Sequence, residues 1–214
     1  MTAAFPKALP HHGRVRLTPI ADLDTSAWRR VAAHFRDPEI AFLNGTPPNR
    51  MPLWLLRRVL RADARRRDRA TFGILDERSD YIGTVELYDI RPHEATLGII
   101  IGERSHWNHG YGPEAIACIL TIAFDELDLE RVKLHTYADN PRAQAAFRKI
   151  GFRELRRVPA PGGRVDVQMD LSRAVWTDRA WLGAVPLPPL AGPPPAEARA
   201  AESLTREEVG DGGT

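Results

Sequence analysis

His106-Trp107-Asn108-His109-Gly110-Tyr111-Gly112-Pro113-Glu114-Ala115-Ile116-Ala117 runs from a glycine-spaced turn straight into an amphipathic segment. Gly110 and Gly112 have access to backbone conformations closed to other residues, so consecutive N–H groups can converge on one anion. A helix starting here aims the positive end of its dipole at the same point. Pro113 suits a first helical turn, where its missing N–H would be unpaired anyway, and Ile116, Ile119, Leu120, Ala123, Phe124 and Leu127 follow at helical spacing. Just upstream, Ala95-Thr96-Leu97-Gly98-Ile99-Ile100-Ile101-Gly102 reads as a strand buried on both faces, because successive isoleucines leave no solvent side. Strand, glycine turn and helix together predict a grip on a phosphorylated ligand. The dinucleotide fingerprint fits poorly, since it needs three glycines in G-x-G-x-x-G order, and the lack of a Gly-Lys-Ser/Thr ending excludes a Walker loop.

Outward from this unit the pattern is mixed. Arg14 to Pro19 alternates as a first strand, and Asp24 or Thr25 caps a helix containing Trp28, Val31, Ala32 and Phe35, which Asp37-Pro38 breaks. Beyond the turn from Asn44 to Pro48, a helix with Leu53, Leu56, Val59 and Leu60 carries Arg57, Arg58, Arg61, Arg65, Arg66, Arg67 and Arg69. Strands are expected near Ala70 to Leu75 and Tyr81 to Ile90, then at Arg131 to Tyr137. A helix from Pro141 to Ile150 stops at Gly151, and a hairpin turns at Pro161-Gly162-Gly163. The fold class this order predicts is mixed α+β, with one central twisted sheet flanked by helices. A single domain is expected over residues 13–184, between a loose leader at 1–12 and a Pro/Ala/Gly-rich tail at 185–214 whose composition is that of disorder; Trp176 and Trp181 suggest a short docked helix before it.

The glycine loop and a second stretch, Asn140-Pro141-Arg142-Ala143-Gln144-Ala145-Ala146-Phe147-Arg148-Lys149-Ile150-Gly151-Phe152, carry a family resemblance. The first resembles the Q/R-x-x-G-x-G/A loop of the GNAT superfamily of acetyltransferases, and the second its N-x-x-A-x-x-x-Y-x-K-x-G-F signature. The wording is most similar to the branch that acetylates ribosomal-protein N-termini, together with spermidine acetyltransferases. The resemblance spans about residues 13 to 171 and is densest from 80 to 155. It implies a GNAT-type fold, acetyl-CoA as co-substrate, and direct attack of a neutral primary amine on the thioester with no acyl-enzyme. The acceptor it implies is a protein N-terminus or a small-molecule amine, and related enzymes are often homodimers.

On that reading, the loop from Trp107 through Asn108, His109, Gly110 and Tyr111 to Gly112 holds the pyrophosphate. Backbone groups of Ile99, Ile100 and Ile101 pair with the pantetheine arm, the thioester lies beside Ile101 between splayed strands, and Asn140, Arg142 and Phe147 complete the cofactor set. The sequence departs from the family at two positions: Phe147 stands where many relatives have a tyrosine that meets the leaving thiolate, and Thr96 where some have a glutamate that relays the amine proton. Glu86 shares a strand face with Thr84 and Tyr88, and His106 directly precedes the loop; these two are the candidate proton-handling residues, with His93 and Glu94 behind them. A non-catalytic acyl-CoA-binding module, and a nucleic-acid-binding protein using the arginine run, are the competing classes.

Composition fits one globular core: 214 residues, 43% hydrophobic and 27% charged, with a formal net charge of +2 that gives no reason by itself to invoke nucleic acid. The single cysteine, Cys118, reads as a buried packing residue, the histidines never fall into metal-ligand spacing, and no apolar run reaches the roughly 18 residues of a membrane helix. No secretory signal layout is present, so a cytoplasmic location and no metal are the expectations.

Overall fold

The structure, a computed structural model, describes residues 9–178. β1 (His11–His12) and β2 (Val15–Pro19) form an antiparallel pair across the Gly13 turn. Order therefore begins before residue 13, where the leader was expected to end, and Leu9 already packs on the core. α1 (Thr25–Arg36) is capped by Asp24, whose carboxylate accepts the Ala27 N–H at 2.7 Å. Asp37 ends α1 and caps α2 (Pro38–Leu43), accepting the N–H groups of Glu39 and Ile40, so one residue turns the chain between two helices. α3 covers Leu53–Asp63 only. The predicted arginine helix is thus shorter than its arginine run: Arg65, Arg66 and Arg67 lie in the following turn, and Arg69 opens β3 (Arg69–Leu75).

β4 (Tyr81–Tyr88), β5 (Glu94–Ile101), α4 (Tyr111–Thr121), β6 (Arg131–Tyr137), α5 (Pro141–Ile150), β7 (Arg153–Pro159), β8 (Val165–Ser172) and α6 (Arg173–Thr177) follow. The strands make one sheet in the order β1-β2-β3-β4-β5-β6-β8-β7, antiparallel except for β5 with β6. Two apolar clusters sandwich it. Ile116, Ile119 and Leu120 of α4 meet Phe72, Val85, Leu97 and Leu134 of the sheet, with Phe147 and Ile150 of α5 alongside. Trp28 and Val31 of α1 meet Leu56 of α3 and Tyr81 of β4 in the other cluster. Trp176 of α6 is buried near Phe124, as expected of a docked helix; Trp181 and the tail lie outside the described residues. Cys118 is fully buried, and burial pushes its thiol up to about 12, which removes it as a nucleophile at neutral pH.

One irregularity positions everything that follows. β5 and β6 pair only from Glu94–Arg131 to Leu97–Leu134. Beyond that point β5 continues to Ile101 held by β4 alone, and β6 continues to Tyr137 held by β8 alone. The sheet is therefore split by a wedge, open from Gly98 on one side and His135 on the other.

Candidate functional site

The wedge opens into a cavity of about 360 Å³ on the loop side. Ile99, Ile100 and Ile101 line it and are half-exposed, which corrects the expectation of a strand buried on both faces. An isoleucine facing an empty cavity and one facing a packed core look the same in sequence. Trp107, Asn108, Gly110 and Gly112 line the cavity from the loop, and Asn140, Arg142, Ala143, Phe147 and Lys149 from α5. The other two loop residues do not: His109 points to solvent and Tyr111 is buried behind the turn.

The turn is made by Asn108 (φ 64°) and Gly110 (φ 93°), both left-handed. Gly112, expected to need that freedom, is an ordinary helical residue of α4; a side chain there would project into open space. The absent side chain leaves the helix start bare to an approaching group. Glu114 N–H closes the first turn on the Gly110 carbonyl, so the N–H groups of Tyr111 and Gly112 have no intrahelical acceptor. Behind the loop, Arg14 of the β1–β2 turn reaches the His109 carbonyl and pairs with Glu114 at 2.9 Å, the Tyr111 hydroxyl donates to Glu77, and His106 Nε2 stands 3.2 Å from Asp76. The Arg14 and Tyr111 contacts fix the turn from the side away from the cavity, and His106 fixes it at the cavity's edge.

Two further features shape this cavity. The Arg142 guanidinium lies 3.4 Å above the Trp107 ring, and burial lowers its affinity for the proton. The indole N–H of Trp107 donates to the Ile101 carbonyl at 2.8 Å. Along a strand the backbone groups of alternate residues turn to the same edge, so those of Ile99 share this unpaired edge, while Gly102 N–H bonds across to Ile82 on the β4 side.

Through the wedge lies a second cavity of about 320 Å³, lined by Arg69, Glu86, Tyr88, Gly98, His135, Thr136, Tyr137 and Asp166. Leu43, Asn44, Ile99, Asn140, Ala143 and Phe147 line both cavities, so the two meet in the splayed sheet. Glu86 accepts from Arg69 at 2.9 Å and from the Thr71 hydroxyl at 3.3 Å. Burial raises its pKa, against the pull of Arg69 and Thr71. Burial likewise raises the Tyr88 phenol. The two proton-handling candidates are thus separated, with Glu86 in the second cavity and His106 at the edge of the first, held by Asp76. His93 and Glu94 line neither; they pair with Glu130 and Lys133 at the closed end of the wedge. Phe147 stands between the cavities and brings no hydroxyl.

Leu43, Asn44, Tyr137 and Asp166 were not singled out in the sequence. The alternation Val165-Asp166-Val167-Gln168-Met169-Asp170 marks a polar face on β8, which could have drawn attention to Asp166, whereas Asn44 is brought in by tertiary packing. Arg164 stacks on both Tyr137 (3.4 Å) and Phe42 (4.1 Å) and pairs with Asp139, tying the end of α2 over the second cavity. Of the arginine run, only Arg69 lines either of these two cavities. Among the described residues no group of three His, Cys, Asp or Glu side chains is arranged to hold a metal ion, and no helix is long and apolar enough to cross a membrane.

Solved structures share this fold at low identity. The spermidine N-acetyltransferase from Vibrio cholerae, in complex with CoA and spermine, superposes with a TM-score of 0.69 at 20% identity, over 77% of this chain and 99% of that one. A GNAT-family acetyltransferase from Bacillus anthracis gives 0.65 at 14% identity, over 77% and 98%. In sequence, the family described as the acetyltransferase (GNAT) domain matches residues 14–153. A wedge in the sheet, a glycine turn aimed into it and a family match over most of the chain agree: the protein belongs to the GNAT family of acetyltransferases.

Proposed function

We propose that the protein transfers an acetyl group from acetyl-CoA directly to a primary amine, with acetyl-CoA in the first cavity and the amine in the second. The observation that carries this reading is the continuity of the two cavities through the wedge, which gives two substrates separate entrances and one meeting place. The free N–H groups at the start of α4 and the cationic Arg142 and Lys149 suit a pyrophosphate, and the unpaired edge of β5 at Ile99 and Ile101 suits the amide-bearing arm. The Ile101 carbonyl has two lone pairs, so the Trp107 indole does not exhaust it.

In the reaction, the amine nitrogen forms a bond to the thioester carbonyl carbon, its proton passes to Glu86 directly or through water, and the carbon–sulfur bond breaks to release a thiolate. Glu86 suits the base because it lines the amine's cavity and burial raises its pKa. Phe147 leaves the thiolate without a phenol beside it, which is tolerable because a thiol ionises at roughly pH 8 to 9 and its thiolate is a competent leaving group. His106 is assigned the holding of the loop through Asp76. Within this scheme the acceptor ranges from a small alkylamine to a protein N-terminus.

The test has two readouts. Acetyl-CoA at a hundred times its dissociation constant should add about 2.7 kcal/mol of stability, seen as a rise in melting temperature of a few degrees that NADH and ATP do not give. Thiol release from acetyl-CoA should then depend on an added amine. A melting shift with no amine-dependent release would make the chain an acyl-CoA-binding module, and no shift would remove the cofactor assignment.

A further inference from the structure

Glu86 on β4 and Asp166 on β8 bring carboxylates into the second cavity from opposite walls. β5 and β6 lie between them and are splayed apart at this level, so the two carboxylates face each other across the open wedge. The two acids differ in what they already hold. Glu86 is matched by Arg69 at 2.9 Å, and Arg69 is shared with Asp63 at 3.5 Å, so the one arginine of this cavity already faces two carboxylates. Asp166 pairs with no lysine or arginine among the described residues. Its hydrogen bonds, with His135 Nδ1 at 3.3 Å and from Gln168 Nε2 at 3.1 Å, both fall on Oδ2, and no hydrogen bond falls on Oδ1. Arg156 holds the Gln168 side-chain oxygen at 2.8 Å, which turns the amide N–H toward Asp166 and fixes the carboxylate.

We propose that Asp166 receives a second cationic group of the acceptor, so that the acceptor class is a primary amine carrying another positive charge farther along its chain. This rests on the reading that the second cavity takes the amine. Three kinds of acceptor tail can be compared on charge. A carboxylate would meet a guanidinium already matched by Glu86 and Asp63. A hydrocarbon would cover Asp166 and strip its water without replacing it, at a cost in binding. A second ammonium gives the free Oδ1 a charge-assisted partner and balances the cavity. The arginines of α3 and the turn after it do not oppose a cationic acceptor, because Arg69 alone of that run lines the cavity and it is neutralised.

The experiment follows acetyl-CoA thiol release with α,ω-diamines of three to six carbons, the n-alkyl monoamines of matching length, and the matching ω-amino acids. With the native chain, at least one diamine should exceed its monoamine in kcat/KM by tenfold or more, with the amino acid the poorest of the three. Asp166→Asn should collapse that ratio to within about threefold, chiefly by raising KM for the diamine, while the melting shift with acetyl-CoA reports that the variant is folded and loaded. Equal use of all three classes by the native chain would overturn the inference and leave acetyl transfer standing. So would a fall by the same factor for diamine and monoamine in Asp166→Asn, which would make Asp166 merely structural. No amine-dependent release with any compound would overturn both this inference and the acetyl-transfer reading.

Discussion

Glu86 sits where burial and two hydrogen-bond donors work against each other, and burial prevails. In its proposed role as base Glu86 must be ionised to act, so kcat/KM should fall on the acid side at a pH raised from that of an ordinary glutamate. Glu86→Gln should lower kcat by about 10²- to 10⁴-fold and erase that acidic limb in a pH–rate profile. Gly110 answers to a different constraint. At φ 93° any side chain is strained by roughly 1–2 kcal/mol, and a Cβ would stand 3.3 Å from Arg14 Nη2. Gly110→Asp adds a negative charge to the turn proposed to hold the pyrophosphate, so the acetyl-CoA melting shift should vanish while the ligand-free protein still melts cooperatively. Both positions were singled out in the sequence, Gly110 through the spacing of the turn and Glu86 through strand alternation, and the structure places each beside a cavity. Ile99 to Ile101 were legible as strand but not as cavity wall, because hydrophobicity does not record whether the facing volume is filled by protein or left for a ligand.

Helix α1 was read correctly from its apolar spacing and its Asp24 cap, yet one of its residues could not be read from within it. His34 is buried because Gly102 and Glu103, the latter 69 residues along the chain, close over it. Its ring stacks on Tyr81 at 5.4 Å and its Nε2 stands 3.1 Å from Glu103, yet burial outweighs Glu103 and lowers its pKa below the ordinary 6.5. The sign follows from proton linkage: the unfolded chain binds the proton more readily, so the stability this group contributes is present above about pH 6.5 and is lost as pH falls toward the folded value. Melting temperatures at pH 7.5 and 5.5 should therefore differ more for the native chain than for His34→Gln. The arginine helix shows the complementary failure. Arginine favours helix, so nothing in the run from Arg57 to Arg69 marked the end of α3 at Asp63; Arg69 leaves the helix because β4 recruits it into the sheet.

At the scale of the whole molecule, the element order and the two signature stretches were enough to anticipate a mixed sheet and its family. The split in that sheet was implied by the resemblance and could not be derived from periodicity, since it is a property of pairing between strands distant in sequence. Likewise the second cavity draws Asn44, Glu86, His135 and Asp166 from four separate segments, and a linear reading has no means to assemble them. The strand order has a further consequence, for the newborn chain. β8 inserts between β6 and β7, although it is made after both. Until Ser172 has emerged from the ribosome, β6 has only its short parallel pairing with β5, and β7 has no neighbour at all. The half of the wedge that carries His135 and Tyr137 thus stays unformed until β8 has been made, and a chain stalled after α5 would hold the glycine turn but no second wall for a substrate to meet.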